Sequence, residues 1–369
     1  IAPGARVCGG TGLYLLPMRR FPHRPHPLRT ILPAAALLVL AASAAAVAPP
    51  EGALRRDTPA DFGPEPRPGR THNEFWTWQF RFNDGMQAQL NLSRVHFGTF
   101  KDPVCGADLS LMGFMGRNHF VAREYPLRNF TWEPSSGHLG VHADIFAEGL
   151  PPRSHRVHFA TVKGGTSYFL DLTFESMTPG VVWGDGVFRL GKGEEASLFL
   201  HIPRARVRGR VGVNADTIAV RGTAWMDHTR QTQFGTKFMD ASYRFATTSG
   251  RIEGGHFFQS GSRVFGYGVR EEAGGGLMLL RPESIAVPER TPWGPASVPR
   301  RLEIAVEGAE PVRLERTEDR QRTSVLQELG GFERMGARMF LGGELLGYRG
   351  TARVDGGIPA VFAYTIVKR

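Results

Sequence analysis

Alternation of apolar and polar residues with a period of two is the feature that most restricts the fold of this chain. In NEFWTWQFRFNDG, four aromatic side chains occupy one face of a strand: Trp76, Trp78, Phe80 and Phe82. The run Asn83-Asp84-Gly85 then predicts a hairpin turn, and MQAQLNLSRV predicts the returning strand. Similar alternation recurs in TSYFLDLTFES, ASLFLHI and AVFAYTIVKR. Because successive residues of a strand point to opposite faces, the pattern predicts antiparallel sheets with one buried face.

Many short strands at regular spacing predict an all-β chain built as two consecutive antiparallel β-barrels. The ranges 72–210 and 211–369 are each long enough for a barrel of about eight strands. One segment departs from the pattern, because TSVLQELGGFERMGARMF has apolar residues at helical spacing and Ser324 with Gln327 matches a capping box. It predicts one short helix near the C-terminus. Residues 49–71 are rich in proline and charge, which predicts a flexible linker.

The first 48 residues are typical of a targeting segment. Met18 is the expected start of translation, so residues 1–17 are not expected in the protein. Residues 18–48 combine a basic leader with an apolar stretch from Ile31 and small residues in the A-x-A pattern, which predicts a signal peptide cut after Ala46. The alternative is an uncleaved membrane anchor over residues 31–48. Either interpretation predicts export, with the periplasm as the destination.

The distribution of charge and cysteine argues against several classes of partner. Half of the net charge of +10 lies before residue 49, where five arginines and no acids occur, so no nucleic-acid partner is expected. The basic run RARVRGR, from Arg204, is interpreted as a solvated strand edge, with transient contact to an anionic membrane surface as the alternative. Cys105 stands alone after Met18, and the histidine spacings fit no metal motif. We therefore expect no metal and no cofactor.

The chemistry of the chain centres on the adjacent residues Asp227 and His228, inside a strand-like run. In a regular strand Trp225 and Asp227 share one face and His228 takes the other, so both can enter one barrel only at a bulge. An apolar wall beside Trp225 would raise the pKa of Asp227 and keep it protonated, as a proton donor to an alkene must be, with His228 orienting it. The alternative is structural, with both side chains bonding backbone groups.

The same run resembles a known family signature. Gly222-Thr223-Ala224-Trp225-Met226-Asp227-His228 is similar to the Gly-x-x-Trp-x-Asp-His signature of a lipocalin-related group. That group includes the carotenoid 1,2-hydratases, the AttH-type bacterial proteins and the fungal survival-factor proteins. Gln231-Thr232 brings the run closest to the survival-factor branch, whereas Gln233-Phe234 stands where the hydratases usually have Trp-Gly. The upstream segment IPRARVRGRV resembles the link between the two barrels of that group.

The resemblance implies two lipocalin-like barrels around an apolar cavity. The first function it implies is carriage of a hydrophobic ligand, a lipid or isoprenoid, in a cavity lined by Trp76, Trp78, Trp225 and Tyr243. The alternative is a hydratase or cyclase that acts on a C=C bond of an isoprenoid or polyene, with Asp227 and His228 as the acid–base pair. A third interpretation is a scaffold with two solid barrels.

Overall fold

The chain is an all-β protein with two antiparallel sheets, as the alternation predicts. The computed structural model describes residues 47–65, 71–98, 102–324, 326, 338 and 341–369. Two short helices are α1 (Pro59–Phe62) and α2 (Gly235–Phe238), and a 3-10 turn covers Leu127–Asn129. In this described part of the chain no helix is long and apolar enough to span a membrane.

The first sheet uses the N-terminal strands. Their bounds are β1 (Leu54–Arg56), β2 (Thr71–Phe82), β3 (Gln87–Phe97), β4 (Val104–Phe114), β5 (Arg117–Pro126), β6 (Thr131–Glu133), β7 (His138–His142), β8 (Ile145–Glu148), β9 (Arg156–Lys163), β10 (Thr166–Glu175), β11 (Val181–Trp183), β12 (Val187–Gly191), β13 (Glu194–Val213) and β14 (Asp216–Gln231). The main path runs β5-β4-β3-β2-β14-β13-β10-β9-β8-β7-β6, while β1 pairs with β11, and β11 and β12 pair with β13.

The second sheet takes the remaining strands. Their bounds are β15 (Ala241–Thr247), β16 (Glu253–Ser260), β17 (Arg263–Glu271), β18 (Leu277–Leu280), β19 (Pro282–Trp293), β20 (Ala296–Val306), β21 (Ala309–Ser324), β22 (Glu344–Val354) and β23 (Ile358–Lys368). Their order is β18-β17-β16-β15-β23-β22-β21-β20-β19. Strand β13 crosses position 210 and the first sheet continues to Gln231, so the chain changes sheet within residues 232–240.

Three apolar cores follow from this arrangement. The inward faces of the first sheet enclose one core, which contains the four alternating aromatics of β2. The inward faces of the second sheet enclose another, around Tyr243, Phe257 and Phe362. A third core joins residues of both sheets, such as Trp225 from β14 and Tyr267 from β17. Parts of the outward faces are therefore buried against each other, and polar residues on those faces are placed between the sheets.

The segment before β2 is ordered where the structure describes it. Of the predicted signal region only Val47 and Ala48 are described, and Ala48 forms a β-bridge with Arg189. Within the range predicted as a linker, β1 pairs with β11 and α1 begins after Thr58, whose side chain and Asp61 form a capping box. The predicted C-terminal helix falls largely on residues 325–340, of which only 326 and 338 are described, so it lies outside the described residues.

Candidate functional site between the two sheets

The side chains of β14 point alternately into the first sheet and towards the second. Met226 belongs to the core of the first sheet, whereas Trp225 belongs to the core between the sheets. His228 faces the same way as Met226, where it stacks on Trp76 with ring centroids 4.4 Å apart. Asp227 faces the other way, towards Arg244 of β15. The two residues of the pair are therefore on opposite faces, as expected for a regular strand.

Asp227 is fully buried in an ion pair. Arg244 donates from Nε to Oδ2 at 2.6 Å and from Nη2 to Oδ1 at 2.9 Å, and Trp225 Nε1 donates to Oδ2 at 3.1 Å. A bidentate guanidinium supplies the strong, charge-assisted bonds that a buried carboxylate requires. Because each oxygen already accepts a bond from Arg244, this geometry differs from that of the protonated cavity acid envisaged for Asp227.

His228 has a structural environment inside the first sheet. Its Nδ1 lies 3.2 Å from the backbone oxygen of Asp61, and its ring packs between Trp76 and Phe199. Burial, together with the charge of Arg230, holds the pKa of His228 well below its usual range. The neutral ring can therefore donate its Nδ1 proton to the Asp61 carbonyl, which fastens the segment before β2 to the sheet.

The other aromatic residues singled out from the sequence are dispersed over all three cores. Trp76 Nε1 donates to the backbone oxygen of Phe62 at 2.9 Å, and Trp78 Nε1 donates to His155 Nε2 at 3.0 Å. Tyr243 Oη donates to Gln259 Oε1 at 3.0 Å in the second sheet. Trp76 thus meets His228, and Trp225 meets Asp227, but the four predicted lining residues do not share one cavity wall.

A cleft of about 360 Å³ lies between the outward faces of the two sheets. Its apolar wall includes Phe75, Phe120, Phe234, Met239, Phe258 and Leu345. Its ionisable side chains are Asp108, Arg244, His256 and Arg349. The rest of the wall carries many polar side chains, among them Gln89, Asn91 and Thr323, so the cleft combines aromatic and aliphatic surface with numerous hydrogen-bonding groups.

Asp108 is the acid of the cleft. It lies on β4 directly opposite Asn91 of β3, whose Nδ2 donates to Oδ1 at 2.8 Å. Burial raises the pKa of the Asp108 carboxyl, and the positive charge of Arg349 opposes this only in part. A carboxylic acid with a raised pKa that faces a cavity has the property required of a general acid.

The cleft histidine is His256 of β16, which pairs across the sheet with Arg244. The Nη2 atom of Arg244 lies 3.2 Å from Nδ1 of His256. Burial and the nearby Arg244 charge hold the pKa of His256 well below its usual range, so the ring is neutral. Among the residues that the structure describes, none bonds to Nε2.

Arg349 forms a polar bridge across the cleft. Its Nε donates to Gln89 Oε1 of the first sheet and its Nη1 donates to Thr323 Oγ1 of the second, both at 2.8 Å. Burial lowers the pKa of Arg349, while the charge of Asp108 raises it. These contacts fix a guanidinium beside the acid, and they tie the two walls of the cleft together.

The sequence did not single out Asp108 as more than a scattered acid, and it did not single out His256 or Arg349. Each lies on an outward strand face, where polar residues are ordinary. The pairing of β3 with β4, which places Asn91 opposite Asp108, was not predicted from the sequence either. Across the described ranges no group of three or more His, Cys, Asp or Glu residues is arranged to hold a metal ion.

Comparison with solved structures finds chains of similar fold. An AttH-like protein from Nitrosomonas europaea superposes with a TM-score of 0.62 and 16% identity, over 87% of this chain and 99% of that one. Kievitone hydratase from Nectria haematococca superposes with a TM-score of 0.51 and 12% identity, over 80% of this chain and 88% of that one. No family model and no curated protein sequence matches the chain. At these identities the likeness shows the fold alone.

Proposed function

We propose that the chain is an acid–base catalyst of the hydratase or cyclase type, which acts on a C=C bond of an isoprenoid or polyene ligand bound between the two sheets. In this proposal Asp108 is the proton donor. Asp227, which was expected in that role, holds Arg244 instead. The fold shared with kievitone hydratase supports this choice over simple carriage.

The observation that carries the proposal is the environment of Asp108. Asp108 lines a cleft whose wall includes several aromatic side chains, and burial raises the pKa of its carboxyl. Asn91 donates to Oδ1, so the acid proton belongs on Oδ2. Apolar neighbours such as Phe120 and Phe75 favour an alkene in the same space.

The proposed step transfers the Oδ2 proton of Asp108 to one carbon of the double bond. The π electrons form the new C–H bond, and the other carbon becomes cationic. In a hydratase, water adds to that carbon and returns a proton to the Asp108 carboxylate, so an alkene and water give an alcohol. In a cyclase, a second double bond of the same ligand attacks the cation, and loss of a proton to Asp108 restores the acid. Neither route needs an oxidant or a cofactor.

Carriage of a hydrophobic ligand is the second candidate function. The apolar part of the cleft wall favours it, because burial of an isoprenoid chain there would contribute binding energy without any chemistry. A carrier would bind an isoprenoid and release it unchanged.

The test is incubation of the purified chain with farnesol or retinol in deuterium oxide, followed by mass spectrometry of the ligand. Protonation by an exchangeable acid places deuterium on carbon in both the hydratase and the cyclase route. We expect incorporation with the wild type and a loss of about 10²- to 10⁴-fold in Asp108→Asn, since a general acid contributes that much.

The matched control is Asp144→Asn, which removes a carboxylate that is 65% exposed and lies outside the cleft. It should incorporate deuterium at the wild-type rate. If the wild type binds both ligands without incorporating deuterium, the result supports carriage. If the wild type and Asp108→Asn incorporate deuterium at equal rates, Asp108 is not the general acid.

A further inference from the structure

The feature that the proposed step leaves unused is the free ring nitrogen of His256. The side chain is only 6% exposed and lines the cleft. Its Nε2 is buried without a hydrogen-bond partner in the described part of the chain. Buried polar atoms are nearly always paired, so an unpaired one on a residue that lines a cleft indicates a place where a ligand can supply the partner.

The proton on this ring can be assigned from the contact at the other nitrogen. Arg244 Nη2 lies 3.2 Å from Nδ1, and a guanidinium can only donate. Nδ1 must therefore accept, with its lone pair directed at Arg244. A neutral imidazole that accepts at Nδ1 carries its single proton on Nε2. Nε2, the ring nitrogen without a partner among the described residues, is then a donor.

Arg244 is itself held in place by Asp227. The carboxylate binds Nε and Nη2 together, so the guanidinium plane cannot turn away from His256. Trp225 adds a third bond to the same carboxylate, at 3.1 Å. Asp227 also lies 3.9 Å from His256 Nδ1, which is too far for a direct bond. Any effect of Asp227 on the ring therefore passes through Arg244.

We propose that His256 presents an Nε2–H donor to an oxygen atom of the ligand, and that Asp227 is the positioning residue that fixes this tautomer through Arg244. The ligand class is then an oxygen-bearing isoprenoid, with a carbonyl as the acceptor, rather than a pure hydrocarbon polyene. This deepens the proposed function and rests on it only for the identity of the ligand. A hydrocarbon would leave the donor buried and unpaired, which is costly, whereas a carbonyl satisfies it.

The first experiment is nitrogen NMR of the full chain with ¹⁵N-labelled histidine, with the His256 signals assigned by comparison with His256→Phe. At neutral pH we expect an unprotonated Nδ1 and a protonated Nε2. In Asp227→Asn, where the replacement no longer holds both guanidinium nitrogens, we expect a mixture of the two tautomers. The exposed-site control Asp185→Asn should leave the wild-type pattern unchanged.

The second experiment compares the binding of farnesal with that of farnesene. Both have a farnesyl-type carbon skeleton, but only farnesal carries a carbonyl group. We expect the wild type to prefer farnesal by about 5- to 150-fold, the range for one satisfied buried donor. His256→Phe should lose this preference while still binding farnesene, because the phenyl ring keeps the apolar contact but has no N–H.

An Nδ1–H tautomer or a charged ring in the wild type would overturn the proposal, and so would equal binding of the two probes. If Asp227→Asn folds and keeps the wild-type tautomer, the positioning role of Asp227 is wrong; if it does not fold, Arg244→Lys tests the same link. None of these readouts needs turnover, so they are separable from the deuterium experiment. Absence of deuterium incorporation would contradict the proposed catalysis. A different tautomer would contradict only the proposed donor role of His256.

Discussion

Asp227 remains buried because Trp225 and Arg244 satisfy it. The carboxylate receives three hydrogen bonds and has no exposed surface. Removal of one member of a buried ion pair leaves an uncompensated charge, which costs about 3–5 kcal/mol. The position of the Trp225 ring also matters for Asp227, because the indole N–H completes the set of donors.

A glycine in β16 makes room for that ring. A Cβ added to Gly254 would lie 2.7 Å from Trp225 Cζ3 and 2.7 Å from the backbone oxygen of Phe245. The backbone of β15 cannot yield easily, so Gly254→Ala should displace the indole and weaken its bond to Asp227. We expect destabilisation by about 1–3 kcal/mol, as for other overpacked cores, measured by urea unfolding.

Gly274→Ala is the matched control for this prediction. A Cβ there meets nothing within 4 Å, and its φ lies outside the region that disfavours side chains. Its midpoint in urea should stay close to that of the wild type. Equal midpoints for Gly254→Ala and Gly274→Ala would mean that Trp225 is not confined by β16.

At the scale of elements, β1 and α1 form a strap that is held to the first sheet. β1 adds to the sheet by pairing with β11, and Arg55 binds both carboxylate oxygens of Asp61 at 2.8 Å. The ring of Phe62 then enters the core beside Trp132 and His201. Phe62, at the end of a four-residue helix, is therefore the apolar anchor of the strap, beside the strand pairing of β1 and the hydrogen bonds of His228 and Trp76 to this segment.

Replacement of that anchor should loosen the strap and expose the first core. Phe62 is 2% exposed, and we expect Phe62→Ala to lower the free energy of unfolding by about 3–5 kcal/mol, the usual range for a buried phenylalanine. Chemical denaturation measures this directly. Val162→Ala is the control, since Val162 is 62% exposed and its truncation leaves no cavity. A loss for Phe62→Ala no larger than that for Val162→Ala would contradict the anchoring role.

Short elements such as β1 and α1 could not be predicted from the sequence, unlike the long alternating strands. Alternation predicted β2 and its buried aromatics, because burial of one strand face leaves a period of two. Residues 49–71 were predicted to be a linker because they are rich in proline and charge, whereas β1 and α1 lie within this range. In the structure Arg55 and Asp61 neutralise each other, and this pairing cannot be inferred from composition.

The candidate site was harder to predict for a related reason. Asp108 and Arg349 are far apart in sequence, and each lies on a strand face that would ordinarily meet water. They become cleft residues only because the second sheet packs on the outside of the first. That packing depends on contacts between apolar residues such as Trp225 and Tyr267, whose partners a single sequence does not reveal. The fold was therefore predictable from local pattern, whereas the site depends on how two sheets meet.

At the scale of the whole molecule, polar links supplement the core between the sheets. Tyr267 of the second sheet donates to the backbone oxygens of Val181 and Leu198 in the first, each at 3.2 Å. Arg204 of β13 donates to Thr247 and to the backbone oxygen of Arg251. Buried neutral histidines lie on both sides of this contact, His155 and His228 within the first sheet and His256 between the sheets. Their protonation would affect the core of the first sheet and the core between the sheets.

Acid should therefore destabilise the protein well above the pH at which carboxylates titrate. Burial lowers the pKa of His155 to about 4, against about 6.5 in an unfolded chain. Between these values the unfolded chain binds more protons than the native one, so stability falls as the pH falls from about 6.5 towards 4. His155 alone can account for about 3 kcal/mol of this loss, and the lowered pKa values of His228 and His256 act in the same direction. Asp108, whose pKa is raised, acts in the opposite direction.

Urea unfolding from pH 7.5 to pH 4.5 measures how stability depends on pH, and His155→Gln isolates the contribution of one histidine. This variant leaves the Trp78 indole without its imidazole acceptor, so we expect lower stability at pH 7.5 but a shallower decline in acid. Parallel declines for wild type and His155→Gln would show that the buried imidazole does not control the acid response.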